Sequence, residues 1–323
     1  MGSPTPGLRC DSGDVAVIEV EGLTKRYRRL RRGTTTAVDG LDLSVPEGGV
    51  FGFLGPNGAG KTTTVRCLLA LVRPSSGSCR ILGADPQRGE LHKVIGRVGS
   101  IVETPALFPG FSGRRNLELL ARPSGVGRRA VDRALERVDL AARGDDRVKT
   151  YSLGMKQRLG VAAALLKDPE LLILDEPANG LDPSGIREVR QLLKSLGAEG
   201  RTVFVSSHIL SEVRQTCDRV AILARGKCVK AGTVEEVLAS GDAAKLFVVV
   251  EDKGLAGELL SAARIPWSST GEGLLVDVPR SDASHVTKTL ADGGAYLSEL
   301  RPGSDDLESV FLKLTEDGGD GAL

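Results

Sequence analysis

Nine residues, Gly55-Pro56-Asn57-Gly58-Ala59-Gly60-Lys61-Thr62-Thr63, leave this chain few folds to choose from. They fit the pattern G-x-x-x-x-G-K-[ST], with a second Thr behind it. Val50-Phe51-Gly52-Phe53-Leu54 upstream reads as a buried strand, and Thr64-Val65-Arg66-Cys67-Leu68-Leu69-Ala70 downstream as a helix. Strand, glycine loop, helix is the setting of a phosphate-binding loop. Glycines let the backbone wrap around an anion and take positive φ where needed. The loop amides and the positive end of the helix dipole then face the phosphates. Lys61 is placed to reach the β- and γ-phosphates, and the Thr62 hydroxyl to take a position on Mg²⁺. Without Lys61 and Thr62 in register the stretch would be only a glycine-rich turn. With them, a nucleoside triphosphate is the expected ligand.

Composition removes several alternatives. The 323 residues suffice for one large domain and a smaller one. Forty-three Lys and Arg against 42 Asp and Glu leave a formal charge of +1, so bulk charge does not favour nucleic acid. Aromatics at 3% argue against a base-stacking platform. No apolar run approaches the roughly 18–20 residues of a membrane-spanning helix, and Met1 to Ser12 is Pro/Gly/Ser-rich rather than a signal peptide. The five cysteines form no C-x-x-C pair, which suits a reduced, cytosolic setting.

Along the chain, residues 1–14 read as a disordered tail, Val15–Val20 as a strand and Ala37–Val45 as another. The basic run Arg28–Arg32 between them reads as a solvated hairpin loop. Val98–Glu103 is a strand ending in a carboxylate, and 111–147 is mainly helical by pattern. Leu171-Leu172-Ile173-Leu174-Asp175-Glu176 is a buried strand ending in two acids, where Mg²⁺ and water chemistry belong beside a phosphate loop. Thr202–Ser207 is a further core strand with His208 at its end. Past Ser240 the pattern changes to strand, helix, strand, helix, strand and a last helix at Leu307–Leu314, a small α+β unit with ferredoxin-like order. No catalytic motif stands out there, and a structural, dimer-supporting or regulatory role is the plain expectation.

Taken in order, these motifs resemble the nucleotide-binding subunit of ATP-binding cassette (ABC) transporters over about Val15 to Leu238. The resemblance implies an α/β P-loop NTPase fold: a RecA-like core, an antiparallel β subdomain, and a helical subdomain at about 104–165. It implies a cassette at 15–240, with 241–323 as a C-terminal α+β domain. Gly55, Asn57, Gly58, Gly60, Lys61, Thr62 and Thr63 look like Walker A. Asp175 looks like the Mg²⁺-assisting acid of Walker B, and Glu176 like the general base on water. Ser152 and Gly154 sit where the ABC signature has its serine and second glycine, which cap the γ-phosphate on the opposite cassette. Asp182 looks like the D-loop acid, His208 like the switch histidine, and Tyr27 like the aromatic that stacks on adenine. Taken singly, Tyr27 also reads as a strand-end aromatic, His208 as a satisfied core histidine and Glu176 as a helix-entry acid.

Two departures from the family pattern stand out. The signature reads Ser152-Leu153-Gly154-Met155, and Glu103 replaces the usual Q-loop glutamine, where it is expected to serve both Mg²⁺ and catalysis. Ile101-Val102-Glu103-Thr104-Pro105 with this signature is similar to the branch exporting bacitracin, lantibiotics and daunorubicin-type compounds. The implied function is ATP hydrolysis, with ATP and Mg²⁺, powering export of a small hydrophobic compound or peptide antibiotic. The implied partners are a separate transmembrane permease and a second cassette, identical or not, closing with ATP. The implied place is the cytoplasmic face of the cell membrane, peripherally bound, with no nucleic acid. An importer or lipid-transporter ATPase keeps the same motifs. A soluble ABC protein acting on ribosomes or DNA fits less well, because there is one Walker A and an interval of about 120 residues between Walker A and B, too short for a long coiled coil.

Overall fold

The computed structural model describes residues 15–29, 33–103, 105–239 and 245–303. It divides into two compact units, with the division between Val234 and Glu235. The expected tail at 1–14 and the last helix at Leu307–Leu314 lie outside the described residues.

The first unit opens with β1 (Ala16–Arg29), β2 (Gly33–Pro46), β3 (Gly49–Leu54), α1 (Lys61–Leu68), β4 (Ser76–Ile81) and β5 (Val98–Ile101). It continues with α2 (Gly113–Ala121), α3 (Arg128–Arg137), α4 (Leu153–Leu165), β6 (Leu171–Asp175), α5 (Pro183–Ala198) and β7 (Thr202–Ser207). α6 (Leu210–Thr216), β8 (Arg219–Ala224) and β9 (Lys227–Thr233) follow, and α7 (Val234–Ala239) spans the division.

Six strands form one sheet in the order β5-β6-β7-β3-β8-β9, parallel except for the β8–β9 hairpin. Every residue of β6 and β7 is buried, as is all of β3 after Gly49. That is why these strands are mostly apolar without alternation, with polar residues at the ends of β6 and β7: a parallel sheet is covered on both faces. Phe53 and Phe204 are fully buried with ring centroids 5.2 Å apart, which locks β3 against β7. Losing one of these rings costs about 3–5 kcal/mol.

Register decides where the chemistry sits. Leu54 pairs with Ser207, and Asp175 with Ser206. The chain therefore leaves β3, β6 and β7 at one edge, delivering Gly55, Glu176 and His208 together. Ligands of open α/β sheets bind outside such carboxyl ends. A separate antiparallel sheet, β2-β1-β4, packs its apolar face into the core that covers α1. β1 runs on through Arg28 and Arg29 and β2 begins at Gly33, so the expected basic loop is shorter than the arginine run. Cross-strand pairing of Arg28 with Thr34 carries the ladder past the point where charge alone suggested a loop.

The second unit holds β10 (Lys245–Val250), α8 (Lys253–Ala262), β11 (Trp267–Ser269), β12 (Leu274–Val276), α9 (Ala283–Asp292) and β13 (Leu297–Gly303). Its antiparallel sheet has the order β11-β12-β10-β13, the split βαβ arrangement of ferredoxin-like folds. Leu246, Val248, Leu274 and Val276 alternate inward beneath Ala256, Leu260, Val286 and Leu290 of the two helices. Asp252 caps α8 by accepting from Leu255 N–H.

Candidate active site

The phosphate loop is fixed at both ends by backbone. Gly55 N–H donates to Ser207 O at 3.2 Å, and Gly226 N–H donates to Ala59 O at 2.9 Å. Gly60 has φ +107° and a Cβ there would lie 2.4 Å from Ala37 O, so only glycine fits where β2 crosses behind the loop. α1 then starts at Lys61, and Thr64 Oγ1 donates to Gly60 O to tighten the first turn. Asn57 and Gly58 are exposed at the loop crest, and Thr62 and Thr63 are half-buried in the first turn.

Lys61 is 6% exposed, and its ammonium is the hub of the site. It donates to Gly55 O at 2.7 Å and Pro56 O at 3.2 Å, and lies 3.2 Å from Glu176 Oε1. His208 Nδ1 lies 2.8 Å from Glu176 Oε2. Glu176 itself sits at φ +51°, a left-handed conformation that a non-glycine residue keeps only where its surroundings hold it. They do so here: Glu176 N–H donates to Ser206 O at 3.2 Å and to Ser206 Oγ at 3.0 Å. Ser206 Oγ donates in turn to Asp175 Oδ1, a carboxylate only 2% exposed. Three strand ends thus converge on a lysine, two acids and a histidine.

Three other expected residues form a separate group. Ser152 caps α4 by accepting from Met155 N–H at 3.2 Å, and Asp182 caps α5 by accepting from Gly185 N–H at 3.0 Å. The two helix starts lie side by side, since a Cβ on Gly154 would meet Gly185 Cα at 3.8 Å. Within one chain, both side chains are spent on their own helices. Glu103 takes φ +63°, and its largely exposed carboxylate is held by Arg66 of α1. Metal ligation was expected of it, and the structure gives it an arginine partner. Tyr27 is half-buried on β1 opposite Thr35, with Lys25 Nζ 5.1 Å from its ring centre.

Four residues of the site were not expected from sequence: Arg66, Ser206, Ser207 and Glu212. Ser206 and Ser207 had a signal, two hydroxyls ending an otherwise apolar buried strand. Ser207 Oγ donates to Glu212 Oε2 at 3.1 Å. Burial pushes the Glu212 carboxyl above its ordinary range, and the nearby Glu176 charge adds to this.

Among the described residues no group of three or more His, Cys, Asp and Glu is arranged to hold a metal. One buried carboxylate, Asp175, and one hydroxyl, Thr62, suit Mg²⁺ that takes its remaining ligands from phosphates and water.

Residues 38–179 match the ABC transporter family. Bacitracin transport ATP-binding protein BcrA of Enterococcus faecalis is 39% identical over 307 residues, covering 94% of this chain and 97% of the relative. The chain belongs to the ATP-binding proteins of ABC transporters. The daunorubicin resistance ATP-binding protein DrrA3 of Streptomyces coeruleorubidus is 38% identical, with 93% and 96% covered. Among solved structures, the cassette resembles cbiO1 of Clostridium perfringens, part of the ABC transporter complex cbiONQ, at TM-score 0.61 and 31% identity, covering 70% of this chain and 92% of that one. The ABC cassette fold expected from the motifs is therefore the fold of the first unit, and the enzyme is an ATPase.

Proposed function

We propose that the chain is the motor subunit of an exporter, hydrolysing Mg²⁺-ATP to move a small hydrophobic compound or peptide antibiotic through a separate permease. The observation that carries the chemistry is the Glu176 carboxylate held between Lys61 and His208 at the mouth of the phosphate loop. In this reading the triphosphate takes Lys61 as its partner. Glu176 then accepts a proton from water, whose oxygen attacks the γ-phosphorus as the bond to the β–γ bridging oxygen breaks. ADP and inorganic phosphate leave. His208 holds the Glu176 carboxylate in line. Mg²⁺, held by Thr62 and Asp175 with the phosphates, would neutralise charge developing on them.

Support for export comes from relatives named for bacitracin and daunorubicin, which match over almost the whole chain, beyond the cassette. No described helix is long and apolar enough to cross a membrane, and in this reading a separate permease supplies the path. Its docking place is the groove beside the Glu103 loop, lined by Ile101, Val102, Pro105, Leu107, Leu120 and Gly160, at the cytoplasmic membrane face. Exposed Phe108 and Phe111 flank it, their rings tilted against each other with centroids 5.7 Å apart. Two cassettes close head to tail on two ATP, each offering Ser152, Gly154 and Asp182 to the other's phosphates.

The test is co-expression with the membrane protein of the neighbouring reading frame in a sensitive host. Resistance that requires both proteins, and is lost with Lys61→Ala, supports export. Resistance unchanged by Lys61→Ala, or accumulation instead of efflux, overturns it.

A further inference from the structure

Behind the Glu176–His208 pair lies a cavity between α5, β7 and α6, lined by Glu176, Arg190, Ser207 and Glu212. Nothing in the hydrolytic scheme uses its back wall. Yet Glu212 reaches across it to Ser207, the residue directly before His208. A hydroxyl has one proton to give, and the nearer acceptor of Ser207 Oγ is Glu212 Oε2 at 3.1 Å, against 3.4 Å for Ile209 O. Ile209 N–H donates back to Ser207 Oγ at 3.0 Å, closing the turn around His208 from the other side. The Ser207 carbonyl accepts from Gly55 N–H at the entry of the phosphate loop. Ser207 thus joins the two elements that flank the reacting phosphate, and its side chain is held by Glu212.

We propose that Glu212 is a positioning residue for hydrolysis, acting through Ser207 to fix the turn that presents His208 to Glu176. The proposal rests on Glu176 and His208 being the hydrolytic pair. Three features support a role beyond filling space. Glu212 stands in the first turn of α6 and holds Ser207 five residues back, across the His208–Ile209 turn, so the bond closes that turn rather than continuing the helix. Its second oxygen, Oε1, is buried without a hydrogen-bond partner, as is Arg190 Nε on the facing α5. An acceptor that the protein leaves unpaired does not add to fold stability, so packing alone gives no reason for a carboxylate here. Burial also raises the carboxyl's proton affinity, so the group stands beside Glu176 at a cost in charge repulsion that a glutamine would avoid.

The experiment uses the full chain and four readouts: kcat, KM for Mg²⁺-ATP, equilibrium binding of a fluorescent ATP analogue, and the thermal midpoint. Glu212→Ala lowers kcat about tenfold or more while KM and analogue affinity stay within about threefold of wild type. Glu212→Gln keeps a carbonyl acceptor for Ser207 and restores kcat to at least about half. Ser207→Ala matches Glu212→Ala, and the double variant is no slower than the slower single one, because the two residues act as a unit.

Glu212→Ala with wild-type kcat overturns the proposal, as do equal losses in Ala and Gln variants. Parallel loss of kcat, affinity and thermal midpoint makes Glu212 a fold-supporting residue and also overturns it. If Glu212→Ala does not fold, Ser207→Ala decides: wild-type kcat there ends the proposal. Glu176→Gln in the same assay separates the two levels, since wild-type hydrolysis by that variant removes the pair on which the proposal stands.

Discussion

His208 Nδ1 lies 2.8 Å from Glu176 Oε2, while Lys61 Nζ lies 3.2 Å from the other oxygen of the same carboxylate. One carboxylate is therefore gripped at both oxygens by groups from two other strand ends, with its backbone pinned by Ser206. Such a grip fixes direction, which a base on water needs more than it needs a shifted pKa. Glu176→Gln keeps the shape but cannot take the proton. It should bind ATP as wild type does and lose about 10²–10⁴ in kcat, roughly 3–5 kcal/mol. Stopped-time phosphate release measures this, and more than about a tenth of wild-type turnover removes the base assignment.

The second group, Ser152, Gly154 and Asp182, sits at the starts of α4 and α5, and under the proposed function it serves the opposite cassette. Ser152→Arg puts a long cation where a γ-phosphate would be capped. Analogue affinity of the monomer should change less than about threefold, while ATP-driven dimerisation and hydrolysis are lost. Normal dimerisation by light scattering would refute the trans contact. Ser152 also caps α4, so Ser152→Ala should cost about 1 kcal/mol in stability, separable from the closure defect by thermal melting.

Much of the first unit was legible because its signals are local. The phosphate loop is contiguous, and β3, β6 and β7 announce themselves as apolar runs. The acids of Walker B were legible as the end of such a run. Contacts made only in the fold were not. Arg66 and Glu103 are 37 residues apart, and Ser206 meets Asp175 across 31. Glu212 reads as an ordinary charged helix residue until α6 turns it toward Ser207. In the second unit, β11 escaped notice: Trp267-Ser268-Ser269 is three exposed residues with no alternation, and pairing with β12 alone makes it a strand. Ser152 and Asp182 show the opposite case, since resemblance picked them out and the fold adds that both are helix caps.

Thiol chemistry offers a test of core packing. Burial pushes the Cys217 thiol up to about 12, and Cys79 and Cys228 to about 11. Cys67, also buried, moves in the same direction. At pH 8 these four should stay unmodified by a disulfide-exchange reagent in the native chain and react fully in denaturant. Mass spectrometry resolves them individually. Rapid native labelling of Cys67 would mean that α1 is not packed in the core it shares with the β2-β1-β4 sheet, and labelling of Cys217 that the end of α6 is not closed over the cavity beside β7.

Glu212 gives a pH dependence with a definite sign. Its carboxyl is raised above 4.5 in the fold by burial, opposed by the Ser207 hydrogen bond and raised further by Glu176; His208 and Arg190 act the other way. A carboxyl with a raised folded pKa favours folding while protonated. That contribution is present below the unfolded value and is lost as pH rises through the folded one. Glu212→Gln does not titrate. Its thermal midpoint relative to wild type should therefore be higher at pH 7.5 than at pH 4.5. A gap that is flat or reversed across that range, measured by calorimetry in matched salt, contradicts the assignment.

Glu103 and Arg66 join the loop after β5 to α1, the helix that follows the phosphate loop. Both side chains are partly exposed, at 59% and 36%, so the pair contributes at most about 1 kcal/mol to stability. A weak pair is suited to being exchanged rather than to holding the fold. If the pair opens when nucleotide binds, the freed carboxylate becomes available to Mg²⁺ on the phosphates. Glu103→Gln should keep nucleotide binding and some hydrolysis, weaken the dependence on Mg²⁺, and impair efflux more than ATP turnover. Arg66→Gln should leave stability within about 1 kcal/mol of wild type and impair efflux in the same direction. The measurement is hydrolysis and compound efflux together, with the permease in proteoliposomes, across a Mg²⁺ titration. If both activities and the Mg²⁺ midpoint match wild type in Glu103→Gln, the carboxylate has no part in coupling, and the groove beside it must transmit motion through its apolar lining alone.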